Sequence, residues 1–234
     1  MEHLQRFGDR IWIADGPDVD FFGVPYPTRM VVAELEGGLW VWSPIELDAA
    51  LEAEVRSLGE VKWIVSPNKI HHLFIAPWLT AFPDAQAFAP PGLEKRRKDL
   101  AFAGILGDTP EDAWSQDIDQ VIVHGSPVME EVIFFHRPSS TCIVGDLVQR
   151  HDPAGFNTWQ RALMKLDGMV GEKGSTPREW RATFLSRSDG RRALDKALAW
   201  KPERLIIAHG ACAAEGGAEV LETGLHWLTR PSPL

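Results

Sequence analysis

Three short aliphatic runs, far apart in the chain, each end in a polar residue where the run stops. They are Ile64-Val-Ser-Pro-Asn-Lys-Ile-His71-His72, Thr141-Cys-Ile-Val-Gly-Asp146 and Leu205-Ile-Ile-Ala-His209-Gly210. Runs of β-branched and aliphatic residues read as buried strands, and strand ends are where a rigid scaffold hands polar groups to a common site. His and Asp hold zinc and similar ions through nitrogen and oxygen. The pattern therefore points to a metal site assembled from three distant segments.

The rest of the chain supplies the layers around those strands. Arg10-Ile-Trp-Ile-Ala14 alternates, and a Gly- and Pro-rich stretch from Gly16 to Pro27 reads as a loop. Met30 to Leu35 and Leu39 to Trp42 flank Gly37-Gly38, a hairpin signal. Asp48 to Leu58 is predicted as a helix with acidic residues at its start, and Val61 to Val65 as a buried strand. Leu73 to Phe82 and the residues around Glu94 to Asp99 read as helices, with Gln86 to Ala89 a short strand between them. A second group of strands follows at Gln120–His124, Glu131–His136 and Thr141–Val144, the last two joined by a turn at Pro138. Phe156 to Trp200 is mixed and mostly helical, Arg204 to Ala208 a last strand, and Ala218 to Leu228 a last helix. Two β-then-α halves without a linker predict one α/β (α+β) domain over residues 1–234, a four-layer αββα sandwich with two facing sheets and helices outside.

Composition excludes several classes. A net charge of -9 leaves no Lys/Arg excess to neutralise phosphates, so no nucleic-acid partner is expected. Two cysteines build no disulfide framework, and Cys142 and Cys212 sit in or beside apolar runs. No signal-peptide h-region and no run of about eighteen apolar residues appears, which predicts a cytoplasmic protein without a membrane partner. Ten Trp against one Tyr are scattered rather than periodic and are expected at core edges, with one or two lining a pocket.

Three segments carry a family resemblance: Ser43-Pro44-Ile45, Pro67-Asn68-Lys69-Ile70-His71-His72 and Phe134-Phe135-His136-Arg137-Pro138-Ser139. From about Phe7 to Trp227 the chain resembles a bacterial branch of the metallo-β-lactamase fold superfamily, a domain of unknown function with a degenerate metal motif. The superfamily's His-x-His-x-Asp-His motif falls on residues 67–72, where Pro67 and Lys69 replace the first two histidines and His71 replaces the aspartate. The resemblance implies that the first metal position is lost. It implies a second position with His71, His72, Asp146 and His209 as ligands, holding one divalent metal, zinc by its donor set, or none. Lys69, Asn68 and Glu131 are the expected pocket residues. The Lys69 ammonium either takes the place of the missing ion, paired with Asp146, or points to solvent.

Taken singly, each candidate has a plainer reading: a polar loop for the His pair, a turn former for Asp146, a hydrogen-bonding turn for His209-Gly210. Order, spacing and strand context favour a joint site. Alternation places Glu131 and His136 on opposite faces of their strand, so they are not expected to share it. His124, His151 and His226 read as structural or exposed. The resemblance implies a hydrolase with one metal ion, acting on an ester, lactone or phosphodiester; no catalytic residue is assigned. The alternative is a small-molecule-binding or regulatory protein without turnover, and a single-iron redox enzyme ranks last. A small-molecule ligand or substrate is the expected partner, and oligomeric state is left open.

Overall fold

A computed structural model describes residues 3–21, 24–155, 158–159, 161–162, 168–171 and 174–229. Among them, a seven-stranded sheet runs in the order β1 (Gln5–Gly8), β2 (Ile11–Phe21), β3 (Val24–Leu35), β4 (Gly38–Trp42), β5 (Val61–Val65), β6 (Gln86–Ala89) and β7 (Gly104–Ile105). The first four strands form an antiparallel meander, and β4 to β7 pair in parallel. A four-stranded sheet faces it, ordered β11 (Arg204–Ile207), β10 (Thr141–Val144), β9 (Glu131–His136) and β8 (Ile118–Val123).

Side-chain alternation along these strands sorts the core into three apolar layers. In β4, Leu39 and Val41 face outward to α1 (Ala49–Leu58) and α2 (Ile75–Ala81). Trp40 and Trp42 face inward and meet Phe134, Ile143 and Ile206 of the opposite sheet. The outer face of the second sheet, including Ile133, Phe135, Cys142 and Leu205, is covered by Leu194 and Ala197 of α5 (Arg187–Ala199) and Leu221 of α6 (Gly217–Gly224). Two shorter helices, α3 (Leu93–Arg96) and α4 (Arg178–Arg181), sit beside the cavity described below. This is the expected αββα sandwich.

Local chemistry fixes the element ends. Asp48 caps α1 by accepting from the Leu51 amide at 2.8 Å, which satisfies one of the four free N–H groups of the first turn. Leu51 and Val55, one turn apart, bury that helix's inner face; each fully buried aliphatic side chain contributes about 1.5–3 kcal/mol. In α2, Trp78 is fully buried and its indole N–H donates to the Ile45 carbonyl at 2.8 Å.

Several expectations need correction. The stretch from Gly16 to Pro27 is largely strand: β2 and β3 continue as a hairpin with Gly16 opposite Thr28 and Val19 opposite Tyr26. A bulge between Gly16 and Val19 admits the Pro and Gly residues without ending the pairing. The strands β1 and β7 were not anticipated; both are short edge strands with weak patterning. Trp40, Trp42, Trp78 and Trp114 lie fully inside rather than at core edges. Of the expected mixed segment from Phe156 to Trp200, residues 156–157, 160, 163–167 and 172–173 lie outside the described residues. Among the described residues, no helix is long and apolar enough to cross a membrane.

Candidate metal centre

The parallel pairing of β10 and β11, with Val144 opposite Ile207, brings the ends of both strands to the same edge. The segment after β5 reaches that edge from the other sheet, anchored by the Val132 amide donating to the Pro67 carbonyl at 2.9 Å. His71, Asp146 and His209 meet there, one donor atom from each within 4.8 Å of the others. Their side chains are at least nine-tenths buried.

Asp146 sits between the two imidazoles. His71 Nε2 lies 3.1 Å from its Oδ2 and His209 Nε2 lies 3.2 Å from its Oδ1. The far nitrogen of each ring is also held. His209 Nδ1–H donates to the Pro27 carbonyl at 2.7 Å, and His71 Nδ1 meets the Ser43 hydroxyl at 2.7 Å. Because Nδ1 of His209 carries that hydrogen, its Nε2 must carry a second proton or face a cation to stand beside a carboxylate. Burial works against charge on His209, but the Asp146 carboxylate and the Pro27 carbonyl outweigh it and raise the pKa. Burial works against charge on Asp146 too, yet the charge of His71 and the hydrogen bonds from both rings hold it well below the usual carboxylate range.

Outside the three side chains lies a network of donors. Asn68 Nδ2 donates to Asp146 Oδ2 at 2.8 Å and to Glu131 Oε2 at 2.7 Å. Gln149 Nε2 reaches Asp146 Oδ1 at 3.3 Å. Glu131, fully buried, accepts from the amides of Gly145, Asp146 and Leu147 at 2.8, 2.7 and 3.3 Å, and so fixes the loop that carries Asp146. Gly145 is required for this approach, since a Cβ there would stand 2.9 Å from Glu131 Oε2. Burial and the Asp146 charge push the Glu131 pKa up, against the four donors it faces. On the β11 side, Arg29 Nη1 donates to the carbonyls of Ile207 and Gly210, both at 2.6 Å, while its Nε pairs with Asp15 at 2.7 Å. Ser43, at the end of β4, has φ 49°, a left-handed backbone rare outside glycine.

The expected residues divide clearly. His71, Asp146 and His209 come together; His72 does not join them. Its Nδ1 accepts from Arg97 at 3.1 Å, and the same guanidinium donates to the His72 carbonyl at 2.8 Å. Burial, then Arg96 and Arg97, lower the His72 pKa. Lys69 makes no ion pair with Asp146: Asn68 and Gln149 occupy the carboxylate instead, so the pairing reading is overturned. Asn68 and Glu131 do border the ligand group. His136 lies at the far end of β9, bonded to Ser139. His124 pairs with Glu130 and Asp108, His226 is exposed, and buried His151 bonds Gln149. The sequence places the stretches 16–28 and 149–186 beside the pocket, as insertions next to a site commonly are, and both contribute to its lining. It singles out neither Gln149 nor the Pro27 carbonyl, nor Arg29; Ser43 had a signal as the first residue of the Ser-Pro-Ile segment.

Two imidazole nitrogens and one carboxylate oxygen are a donor set that suits one divalent ion of the zinc type. The residues present fit such an ion, because each ligand is oriented from behind by a hydrogen bond, as metal ligands generally are. His71, Asp146 and His209 open onto a cavity of about 600 Å³ whose walls include Tyr26, Ile70, Leu73, Met129 and Trp180.

Comparison with known proteins places this edge in context. The structure is similar to a metallo-beta-lactamase, DIM-1, exposed to ceftazidime, with TM-score 0.65 and 16% identity over 97% of this chain and 95% of that one. A metallo-beta-lactamase from Hirschia baltica gives TM-score 0.65 and 12% identity over 98% of each chain. The metal-soaked Flv1 flavodiiron core from Synechocystis sp. PCC6803 gives TM-score 0.64 and 12% identity over 97% of this chain and 60% of that one. At such identities the likeness establishes the fold alone. No curated protein matches the sequence. The profile of one family matches residues 8–160, more than half of the chain, a span that includes His71 and Asp146 but ends before His209. On that match this metallo-β-lactamase-fold chain belongs to the family described as Domain of unknown function (DUF4336).

Proposed function

We propose that the chain is a hydrolase using one divalent metal ion held by His71, Asp146 and His209, acting on an ester, lactone or phosphodiester. The observation that carries this reading is the number of protein ligands. Four would close a tetrahedral site, as in structural zinc centres; three leave a position open, as in catalytic ones. His72, held by Arg97, is the side chain whose absence from the group leaves that position. The opening faces a cavity whose volume suits a small-molecule substrate. The likeness to proteins named as metallo-beta-lactamases and as a metal-soaked flavodiiron core supports the reading that a chain of this fold holds a metal.

A bound ion supplies Lewis acidity there, polarising a carbonyl or phosphoryl oxygen and making water more acidic. The chain's own residues do the positioning. Pro27 fixes the tautomer of His209 so that Nε2 faces the cavity, Ser43 orients His71, and Asn68 with Gln149 holds the Asp146 carboxylate. The apolar walls bind the substrate and exclude bulk water.

One observation favours a second reading, ligand binding without turnover: four side-chain donors already meet the Asp146 carboxylate with no ion required. Elemental analysis of the purified protein, with a panel of ester, lactone and phosphodiester substrates, separates the two. The hydrolase reading expects about one equivalent of metal per chain, activity lost on chelation and restored by metal, and loss of both metal and activity in His209→Ala. Full activity in metal-stripped protein overturns it. Small-molecule binding with neither metal nor turnover selects the second reading.

A further inference from the structure

We infer that the cavity takes an apolar molecule bearing one anionic group, held at the mouth by Lys69 and Arg96. The inference rests on the reading of this cavity as the substrate site and names the class of molecule it takes. The walls are mostly apolar, and two of the apolar side chains at the cavity stay exposed, Leu73 at 56% and Val128 at 53%. Exposed apolar residues rimming a concave site mark where an apolar ligand enters.

The charges at the cavity run against those of the whole chain. The protein carries a net charge of -9, yet three cations, Lys69, Arg96 and Arg29, line this cavity against two carboxylates, Asp146 and Glu179. Asp146 is buried between two imidazoles and Arg29 is paired with Asp15. The side chains of Lys69 and Arg96 are different: among the described residues neither has a hydrogen bond or an ion-pair partner. Arg97, next to Arg96, donates to the His72 carbonyl, which ties the end of α3 to the segment carrying Lys69. Both cations therefore line the cavity from two segments that are tied to each other. Two unpaired cations beside an apolar cavity, on a protein that otherwise repels anions, are complementary to an amphipathic anion. A carboxylate and a phosphate monoester share that chemistry.

The test is calorimetric titration of the metal-stripped full chain with four probes of equal chain length: decanoate, decyl phosphate, 1-decanol and decyltrimethylammonium. The expected result is that at least one anion binds about tenfold more tightly than the alcohol, and the cation most weakly. In K69Q/R96Q the anion and the alcohol converge while alcohol affinity is retained, which reports an intact cavity. In K69E/R96E the order inverts. The better-bound anion tells carboxylate from phosphate. Absence of anion preference in the wild type, or its persistence in K69Q/R96Q, overturns the proposal. None of the probes needs metal or turnover, so the anion subsite and the hydrolase reading fail by different results.

Discussion

Glu131→Gln tests whether the ligand loop is built on a buried carboxylate rather than on any side chain of that size. Glu131 is fully buried and faces four N–H donors: Asn68 Nδ2 and the amides of Gly145, Asp146 and Leu147. A Gln keeps one oxygen and turns an NH₂ group toward two of those donors. Two buried N–H groups then lose their acceptor and oppose another donor, at about 1–3 kcal/mol each, so the variant is expected to lose about 2–6 kcal/mol. A competing effect sets the opposite outcome. Burial, then the Asp146 charge, raises the Glu131 pKa to about 7, and a protonated Glu131 would resemble Gln. The donor geometry decides for the carboxylate, because a carboxyl O–H would find no acceptor among these four partners. Urea unfolding at about pH 8, with the m-value compared, reads the stability change. Zinc titration reads the site, where affinity is expected to fall at least about tenfold because an unseated Asp146 is a displaced ligand. A variant within about 0.5 kcal/mol of wild type refutes the reasoning.

Two further outcomes follow from other parts of the molecule. His136 is buried, donates through Nδ1 to Ser139 (whose hydroxyl goes on to Thr141), leaves Nε2 without a partner, and has its pKa pushed from 6.5 down to about 4, by burial first and then by Arg10. Between those values the unfolded chain takes a proton that the folded chain refuses, so stability falls as pH drops through this window, by about 3 kcal/mol at the low end. His136→Asn, which keeps a donor near the Nδ1 position, should lose that part of the slope in urea midpoints measured from about pH 7.5 to 4.5; an unchanged slope contradicts it. Gly210→Ala forces a side chain onto φ 109° and sets its Cβ against the Arg150 carbonyl, so a loss of about 2–3 kcal/mol and weaker zinc binding are expected in unfolding and titration experiments. Wild-type behaviour in both would contradict it.

The layers were legible because burial writes itself into the sequence. Val61 to Val65, Thr141 to Val144 and Arg204 to Ile207 are apolar runs covered on both faces, and the structure has them as β5, β10 and β11. The β2–β3 hairpin was not legible in full. Gly16, Pro17 and Pro25 weaken any strand pattern, yet a bulge and cross-strand pairing carry the ladder past them, and pairing partners are a property of the tertiary structure. The scattered Trp residues, Trp40 and Trp42 among them, carry no periodicity that tells core from edge, and a buried indole N–H ordinarily finds a partner. Both are buried without one, a cost the sequence does not display.

The ligand set shows where linear reasoning stops. His71 and His72 are adjacent and chemically identical, so pattern alone assigns both to the metal. The turn that carries them separates them: Ser66 Oγ lies 2.7 Å from the His71 carbonyl, and Asn68 Oδ1 accepts from the Ile70 amide at 3.0 Å. One ring is left facing Asp146 and the other facing Arg97. Arg97 lies twenty-five residues further on and has no motif to announce it. Its effect is chemical as well as geometric, since a guanidinium donating to Nδ1 of His72 occupies a lone pair that a metal would otherwise use. On the proposed reading, a His72 turned to Arg97 would leave three protein ligands and an open position where four would close the site. That contact, rather than the replacement of the motif's first two histidines by Pro67 and Lys69, would decide whether a substrate reaches the ion.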